Sequence, residues 1–403
     1  MIKVMVYRYS FFIAILLNFS SVNAQFDTIM GYHIDTQVSF SVTPVAYNAT
    51  VTADSTSSFI GSFPGASNLP AIPPTTNVFP GSSFSKPARA DLFFNLNDYP
   101  VRTAVKIVFY YEGIARRCSG ILTGPNTVLT AAHCTYDWIN KKWGANNKVY
   151  DSILVYPAFD KSLANPNFGK SKVRNIYVFK KFQDASAWED ISVLELIEPL
   201  GQVAGWVGLA FNSNDLFFQN KVFHKLSYPA APSVSNPSEI YNGDTLYYNY
   251  GLIDLPQTLG ITNASGIKGQ SGSSMFYQNA AANCHTFGVF NFSTNYNHYR
   301  IKANSFYQLK NLLENYATNV NDETNINDRM TMYPNPATGF VFIESPESGK
   351  LQIFNATGNL ILEENLNEGK NSVPIHNFTA GIYIARFTTF VGVIKTFRFV
   401  KMN

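Results

Sequence analysis

Three short segments of this chain hold residue types that together do nucleophilic chemistry. In Cys118-Ser119-Gly120-Ile121-Leu122-Thr123 and Val128-Leu129-Thr130-Ala131-Ala132-His133-Cys134, a histidine ends an apolar stretch and a cysteine follows it at once. In Glu189-Asp190-Ile191-Ser192-Val193-Leu194-Glu195-Leu196, an acidic pair stands at the mouth of an apolar run. In Gly269-Gln270-Ser271-Gly272-Ser273, a serine lies among glycines. A serine hydroxyl becomes a nucleophile when a base takes its proton and a buried carboxylate orients that base. The developing oxyanion also needs backbone N–H donors, and the glycines beside Ser271 free its loop to present the amides of Gly269 and Ser271 together. Each member alone has an ordinary reading. His133 fits a core histidine, Asp184 or Glu189 competes with Asp190 as the orienting carboxylate, and Ser265-Gly266 shows how weak a Ser-Gly pair is by itself. The apolar run directly after Asp190 favours that residue, and the whole set carries the inference.

Chain order narrows the class. The order here is His, Asp, Ser; subtilisins run Asp-His-Ser and α/β-hydrolases Ser-Asp-His. Ser273 stands where a Gly-x-Ser-x-Gly elbow has its second glycine, which disfavours a lipase or esterase. No His-Glu-x-x-His pattern supports a metalloprotease, and three cysteines are too few for a four-cysteine zinc site.

The elements that must position these residues read as strands. Val105–Tyr111, Ser119–Thr123, Val128–Ala131, Asp151–Tyr156, Ile191–Ile197 and Phe287–Phe292 are short apolar runs with turn signals between them. One helix is expected at Ser305–Tyr316, where Phe306, Leu309, Leu312 and Leu313 fall at helical spacing. Many strands with a single terminal helix predict an antiparallel barrel or sandwich over residues 91–317. Residues 318–331 are polar and Asn-rich and read as a linker. Residues 332–403 return to alternating strands, such as Phe340–Glu344 and Ile382–Phe387, and form a separate small β-domain. At the other end, Lys3 and Arg8, the apolar run Phe11–Leu17 and Val22-Asn23-Ala24 predict a signal peptide over 1–24. Residues 25–90, rich in Ser, Thr, Pro and Gly, are expected to be a pro-segment or loosely structured leader without a core.

Composition closes off other classes. The chain has 403 residues, room for two or three domains. Hydrophobic residues at 46% are enough for a large core and exclude wholesale disorder. A net charge of +3 without a basic run gives no support to nucleic-acid binding. No later stretch approaches the length of a membrane span.

Thr130-Ala131-Ala132-His133-Cys134 and Gly269-Gln270-Ser271-Gly272-Ser273 resemble the signature segments of trypsin-like serine endopeptidases, above all the bacterial glutamyl endopeptidase branch. The resemblance runs from Tyr99-Pro100-Val101-Arg102 through Gly124-Pro125-Asn126-Thr127-Val128 to the final helix. It implies an all-β fold, a chymotrypsin-like pair of six-stranded β-barrels with the site in the cleft between them and a C-terminal helix. It also implies His133 as general base, Asp190 as its orienter, Ser271 as nucleophile, and an oxyanion hole from the amides of Gly269 and Ser271. By the same resemblance Cys118 and Cys134 form a disulfide, leaving Cys284 as a buried free thiol. Protein or peptide substrates, no cofactor, no metal and a monomeric state are expected.

Two departures stand out. Gln270 replaces the aspartate that captures a new N-terminal ammonium in trypsins, so activation of the precursor must differ; Ser274 replaces a proline. In the substrate pocket, the floor position falls on Ser265, which excludes a buried carboxylate for Lys or Arg side chains. Phe290 falls where glutamyl endopeptidases carry a histidine, and His298, Arg300 and Lys268 are placed near the pocket rim. A glutamyl-type pocket is only slightly favoured over one for medium neutral side chains. The rival from another class is an inert protease-like binding or adhesion protein, which loss of a triad residue would have favoured.

Met332-Tyr333-Pro334-Asn335-Pro336-Ala337-Thr338-Gly339, Leu351–Gly358 and Ala380-Gly381-Ile382-Tyr383 resemble the C-terminal sorting domain of type IX secretion substrates. That implies an immunoglobulin-like β-sandwich, a partner in the outer-membrane type IX machinery of a gram-negative bacterium, and a protein released or held at the cell surface.

Overall fold

Short runs of β-branched and aromatic residues, cut by Gly, Pro and Asn, favour strands over helices along almost the whole chain. The computed structural model describes residues 27–45, 56–59, 61, 68–160, 164–184, 189–230, 241–292, 296–315, 330–345, 348–356, 358–389 and 394–402. The expected signal peptide over 1–24 and nearly all of the linker over 318–331 lie outside these residues. The chain divides into two compact units at Ala317/Thr318.

In the first unit, a sheet runs Ser152–Pro157, Ala104–Tyr111, Ile114–Gly124, Thr127–Thr130, Ser192–Leu196 and Ser171–Phe179. Its two end strands pair through Leu154↔Lys172 and Val155↔Ser171, closing a six-stranded barrel. A second sheet places Gly208–Asn212, Cys284–Phe292, Ser274–Gln278, Phe223–Ser227 and Tyr247–Gly251 side by side, with Asn297–Arg300 against Cys284–Phe292. Among the described residues no ladder closes this second sheet. The stretch that follows Tyr247–Gly251 instead holds a 3₁₀ turn at Pro256–Thr258 and a lone bridge, Leu255↔Gly260. Pro256 offers no N–H and Leu259 takes φ 45°, and both interrupt a ladder.

Residues 25–90 differ from the expectation. Ile29–His33 pairs antiparallel with Ser171–Phe179, and Val38–Ser41 pairs with Ile29–His33. Thr56–Phe59 and Ala88–Arg89 join the edges of the second sheet. Ile29, Tyr32, Ile34, Val42 and Phe84 are buried in the core. A strand at a sheet edge needs only a few anchors, so a segment dominated by Ser, Thr and Gly hides its contribution to both sheets.

The expected helix spans Ala303–Asn315, and Phe306, Leu309, Leu312 and Leu313 are all buried. Phe306 packs on Phe211 with ring centroids 5.2 Å apart. Burying four such side chains stabilises the docked helix by roughly 1.5–3 kcal/mol each. The side chain of Gln308 bonds both backbone groups of Val45, donating to its carbonyl at 2.7 Å and accepting from its amide at 3.0 Å.

The second unit is a β-sandwich. One sheet holds Thr331–Tyr333, Phe340–Ser345 and Gly369–Pro374; the other holds Leu360–Leu366, Gly349–Asn355, Gly381–Thr389 and Ile394–Lys401. Alternate residues face inward, and Val341, Ile343, Leu351, Ile353, Val373, Ala385, Phe387 and Phe399 form its core.

Candidate active site

Strands Thr127–Thr130 and Ser192–Leu196 are antiparallel neighbours with Ser192 opposite Thr130. The residue that follows one therefore meets the residue that precedes the other. His133 lies in the single 3₁₀ turn Ala132–Cys134 after the first strand, and Asp190 lies just ahead of the second. Asp190 Oδ2 meets His133 Nδ1 at 2.7 Å, and Asp190 Oδ1 accepts the His133 backbone N–H at 2.9 Å. Asp190 is buried, whereas a third of the His133 side chain reaches solvent. Burial disfavours the imidazolium and Arg116 adds to that, but the charge and hydrogen bond of Asp190 prevail and raise His133 above its ordinary value. The competing carboxylates are engaged elsewhere: Asp184 pairs with Lys180 and Glu189 lies 3.9 Å from Lys181.

The Cys118–Cys134 disulfide is present. It ties the strand Ile114–Gly124 to the turn that carries His133, and by loop-closure arguments such a short link contributes ~3 kcal/mol. Cys284 is free and buried, and burial pushes its thiol up to about 12.

Ser271 is half-buried in a turn that both flanking glycines make possible. Gly269 and Gly272 each take φ 85°. A Cβ on Gly272 would stand 2.0 Å from Thr130 Oγ1 and 2.2 Å from the Ser119 carbonyl oxygen, and one on Gly269 would stand 2.4 Å from the Tyr228 carbonyl oxygen. Gly272 thus allows the serine turn to press against the residues that lead into His133. Ser119 stitches the contact: its N–H donates to the Ser271 carbonyl at 2.8 Å, and its Oγ donates to the Gly269 carbonyl at 2.7 Å. The same Oγ accepts from the Tyr228 amide at 2.8 Å. Thr130 Oγ1 donates to the Ser119 carbonyl at 2.8 Å. Ser119 and Thr130 belong to no catalytic motif; their one signal in the sequence is a hydroxyl on an otherwise apolar run beside Cys118 and another just before His133. Among the described residues, the amides of Gly269 and Ser271 donate to no protein acceptor.

Gln270 is buried and fully engaged without charge. Its Oε1 accepts from the Ile267 amide at 2.9 Å, and its Nε2 donates to Ser227 Oγ at 3.1 Å and to the Tyr296 hydroxyl at 3.0 Å. Three neutral hydrogen bonds hold its side chain in place.

The pocket residues part company. Ser265 is exposed. Phe290 is buried beside the serine turn, its carbonyl accepting from the Gly272 amide at 2.9 Å and its amide donating to the Ser273 carbonyl at 2.8 Å. His298 is not at a rim. It is buried, its Nδ1 lies 2.8 Å from the Leu259 carbonyl, and burial together with the Lys225 charge pushes it well below its ordinary value. Arg300 also leaves the rim, because its guanidinium pairs with Asp215 and donates to the carbonyls of Asn212 and Pro256. Lys268 is exposed.

The trypsin family model matches residues 101–309, over half of the chain, and a secretion system C-terminal sorting domain matches residues 331–400. A glutamyl endopeptidase of Bacillus licheniformis is 25% identical over 229 residues, which make up 54% of this chain and 65% of that protein. A trypsin of Saccharopolyspora erythraea is 36% identical over 84 residues, 21% of this chain and 32% of that one. The chain thus spans less than two thirds of the length of either relative. A solved Glu endopeptidase structure aligns with 56% of this chain and 96% of its own at 19% identity and a TM-score of 0.45. The chain belongs to the trypsin family and ends in a secretion-system sorting domain.

Proposed function

We propose that this chain is a secreted serine endopeptidase that works through an acyl-enzyme. Ser271 Oγ attacks the scissile carbonyl carbon while His133 Nε2 takes its proton. Asp190 holds the Nδ1–H, fixing the tautomer and stabilising the imidazolium that forms. The carbonyl oxygen becomes an oxyanion that accepts from the amides of Gly269 and Ser271. His133 then protonates the leaving amine, the C–N bond breaks, and Ser271 is left as an ester. Water, deprotonated by His133, cleaves that ester and restores the hydroxyl.

The observation that carries this reading is the two-point grip of Asp190 on His133, with both carboxylate oxygens spent on one residue. A surface ion pair has no need of that constraint. Among the described residues the amides of Gly269 and Ser271 have no protein acceptor, which supports it independently. Primary specificity on this reading is glutamyl-type, in keeping with the Bacillus licheniformis relative. Residues 332–403 direct the chain through a type IX system across the outer membrane of a gram-negative bacterium, after loss of residues 1–24. Among the described residues no helix is long and apolar enough to cross a membrane.

A fluorophosphonate reagent tests the proposal. Stoichiometric labelling mapped to Ser271, lost in His133→Ala, is expected; absence of labelling in the folded protein contradicts it.

A further inference from the structure

Lys225 lies in the middle of strand Phe223–Ser227 and is fully buried. Among the described residues its Nζ has no hydrogen-bond partner, and neither does Nε2 of buried His298. The ammonium sits over two rings, 3.5 Å from the centroid of Phe290 and 3.9 Å from that of Tyr296. His298 shares the cluster, with its ring 5.2 Å from Phe290 and 5.8 Å from Tyr296. A buried charge without a partner costs several kcal/mol, far more than ring faces return, and an apolar residue would pack there at less cost. An anion brought to Nζ would restore the charge that burial disfavours.

The position of the cluster says where that anion comes from. Both rings over Lys225 are wired to the serine turn: Phe290 through the Gly272 amide and the Ser273 carbonyl, Tyr296 through the Gln270 side chain. Tyr296 thus links the ammonium to Gln270, the residue before Ser271, and Gln270 in turn accepts from the amide of Ile267, in the partly exposed segment 265–267. We propose that Lys225, with His298 beside it, is the specificity-determining cation of the primary pocket, and that it receives the carboxylate of a substrate glutamate whose own carbonyl Ser271 attacks. This rests on the endopeptidase reading above. It gives Lys225 the charge that Phe290 cannot supply and that Arg300 spends on Asp215. Burial pushes the Lys225 ammonium well below its ordinary value, and an arriving carboxylate reverses that.

The test compares kcat/KM for matched peptides with Glu, Gln or Leu before the scissile bond, in wild type, Lys225→Met and Lys225→Gln, each checked by thermal melting and fluorophosphonate titration. Wild type is expected to favour Glu over Gln by about 100-fold, as for a buried charge pair against a neutral partner. Lys225→Met, which keeps the stem between the rings, is expected to bring the ratio to within a few-fold while cleavage after Leu persists. A wild-type ratio near one, or a ratio unchanged in a folded Lys225 variant, overturns the inference. Should neither variant fold, the wild-type ratio decides. Stoichiometric labelling of Ser271 with no preference for Glu defeats this inference alone; no labelling and no cleavage of any peptide defeats the endopeptidase reading with it.

Discussion

The amide of Ser119 donates to the carbonyl of Ser271 at 2.8 Å, joining a strand of the closed barrel to the turn that leads into the second sheet. With Cys118 bonded to Cys134 next to it, one short stretch of strand holds both the histidine turn and the serine turn. The relative placement of the two turns is thereby held by one main-chain hydrogen bond and one covalent bond.

Ser119→Ala removes the hydroxyl that bridges the Gly269 carbonyl and the Tyr228 amide. Two buried backbone groups lose their partner, so stability is expected to fall by ~1–3 kcal/mol. On the proposed mechanism the Gly269 amide is one of the two oxyanion donors, so kcat is expected to fall about tenfold with little change in KM. Denaturant titration and steady-state kinetics check both; an unchanged kcat contradicts the proposed bracing.

Gly272→Ala places a Cβ in left-handed backbone and against Thr130 Oγ1 and the Ser119 carbonyl. The serine turn has to shift away from the histidine turn. Peptide hydrolysis and fluorophosphonate labelling are both expected to drop by at least about 10²-fold, since small misplacements of reacting groups have that effect. Labelling at the wild-type rate contradicts the close approach.

Asp190 raises His133, and the protonated imidazole cannot act as base. Activity is therefore expected to rise with pH through a midpoint above the ordinary histidine value of 6.5. The stability contribution runs the other way: it is fully present below about 6.5, the unfolded value, and is lost as pH rises through the higher folded value. In Asp190→Asn the acidic limb of kcat/KM is expected to move down in pH, and kcat to fall by about 10⁴. A limb at the same pH in both proteins contradicts the pairing.

Deleting residues 27–45 removes Ile29, Tyr32, Ile34 and Val42 from the core and bares the edge of Ser171–Phe179. At roughly 1.5–3 kcal/mol for each large side chain, the loss rivals the whole stability of a domain. The truncated protein is expected to be insoluble or unfolded by circular dichroism. A cooperative melt close to that of the full chain contradicts the structural role of the segment.

A chain ending near Asn327 keeps the whole first unit. It is expected to fold and cleave peptides but to stay inside a host that has the matching secretion machinery. Normal amounts in the medium contradict the sorting role of residues 332–403.

The contact between His133 and Asp190 was legible because an acidic residue at the mouth of an apolar strand has few partners to choose from. Ala-Ala-His-Cys stands out at the end of an apolar strand, and a serine turn that needs left-handed backbone at Gly269 and Gly272 leaves its glycines in plain view. The helix was legible too, because Phe306, Leu309, Leu312 and Leu313 repeat at its period. The leader strands were not, since Ser39, Ser41, Thr56, Ser57 and Ser58 carry no apolar alternation and the segment is held by a few scattered anchors. Lys225 was hidden for the opposite reason. In Phe223-His224-Lys225-Leu226-Ser227 the polar residues imitate a solvent-facing side, yet every position is buried. Only the tertiary packing of Phe290 and Tyr296 distinguishes that lysine from an ordinary strand residue.

The most direct test of the account compares casein and peptide hydrolysis by wild type and Ser271→Ala. The hydroxyl contributes almost nothing to packing, so the variant is expected to melt like wild type. Its kcat is expected to fall by about 10⁶, leaving roughly 10³-fold over uncatalysed hydrolysis from the oxyanion donors and binding. Comparable hydrolysis by wild type and Ser271→Ala would contradict the account.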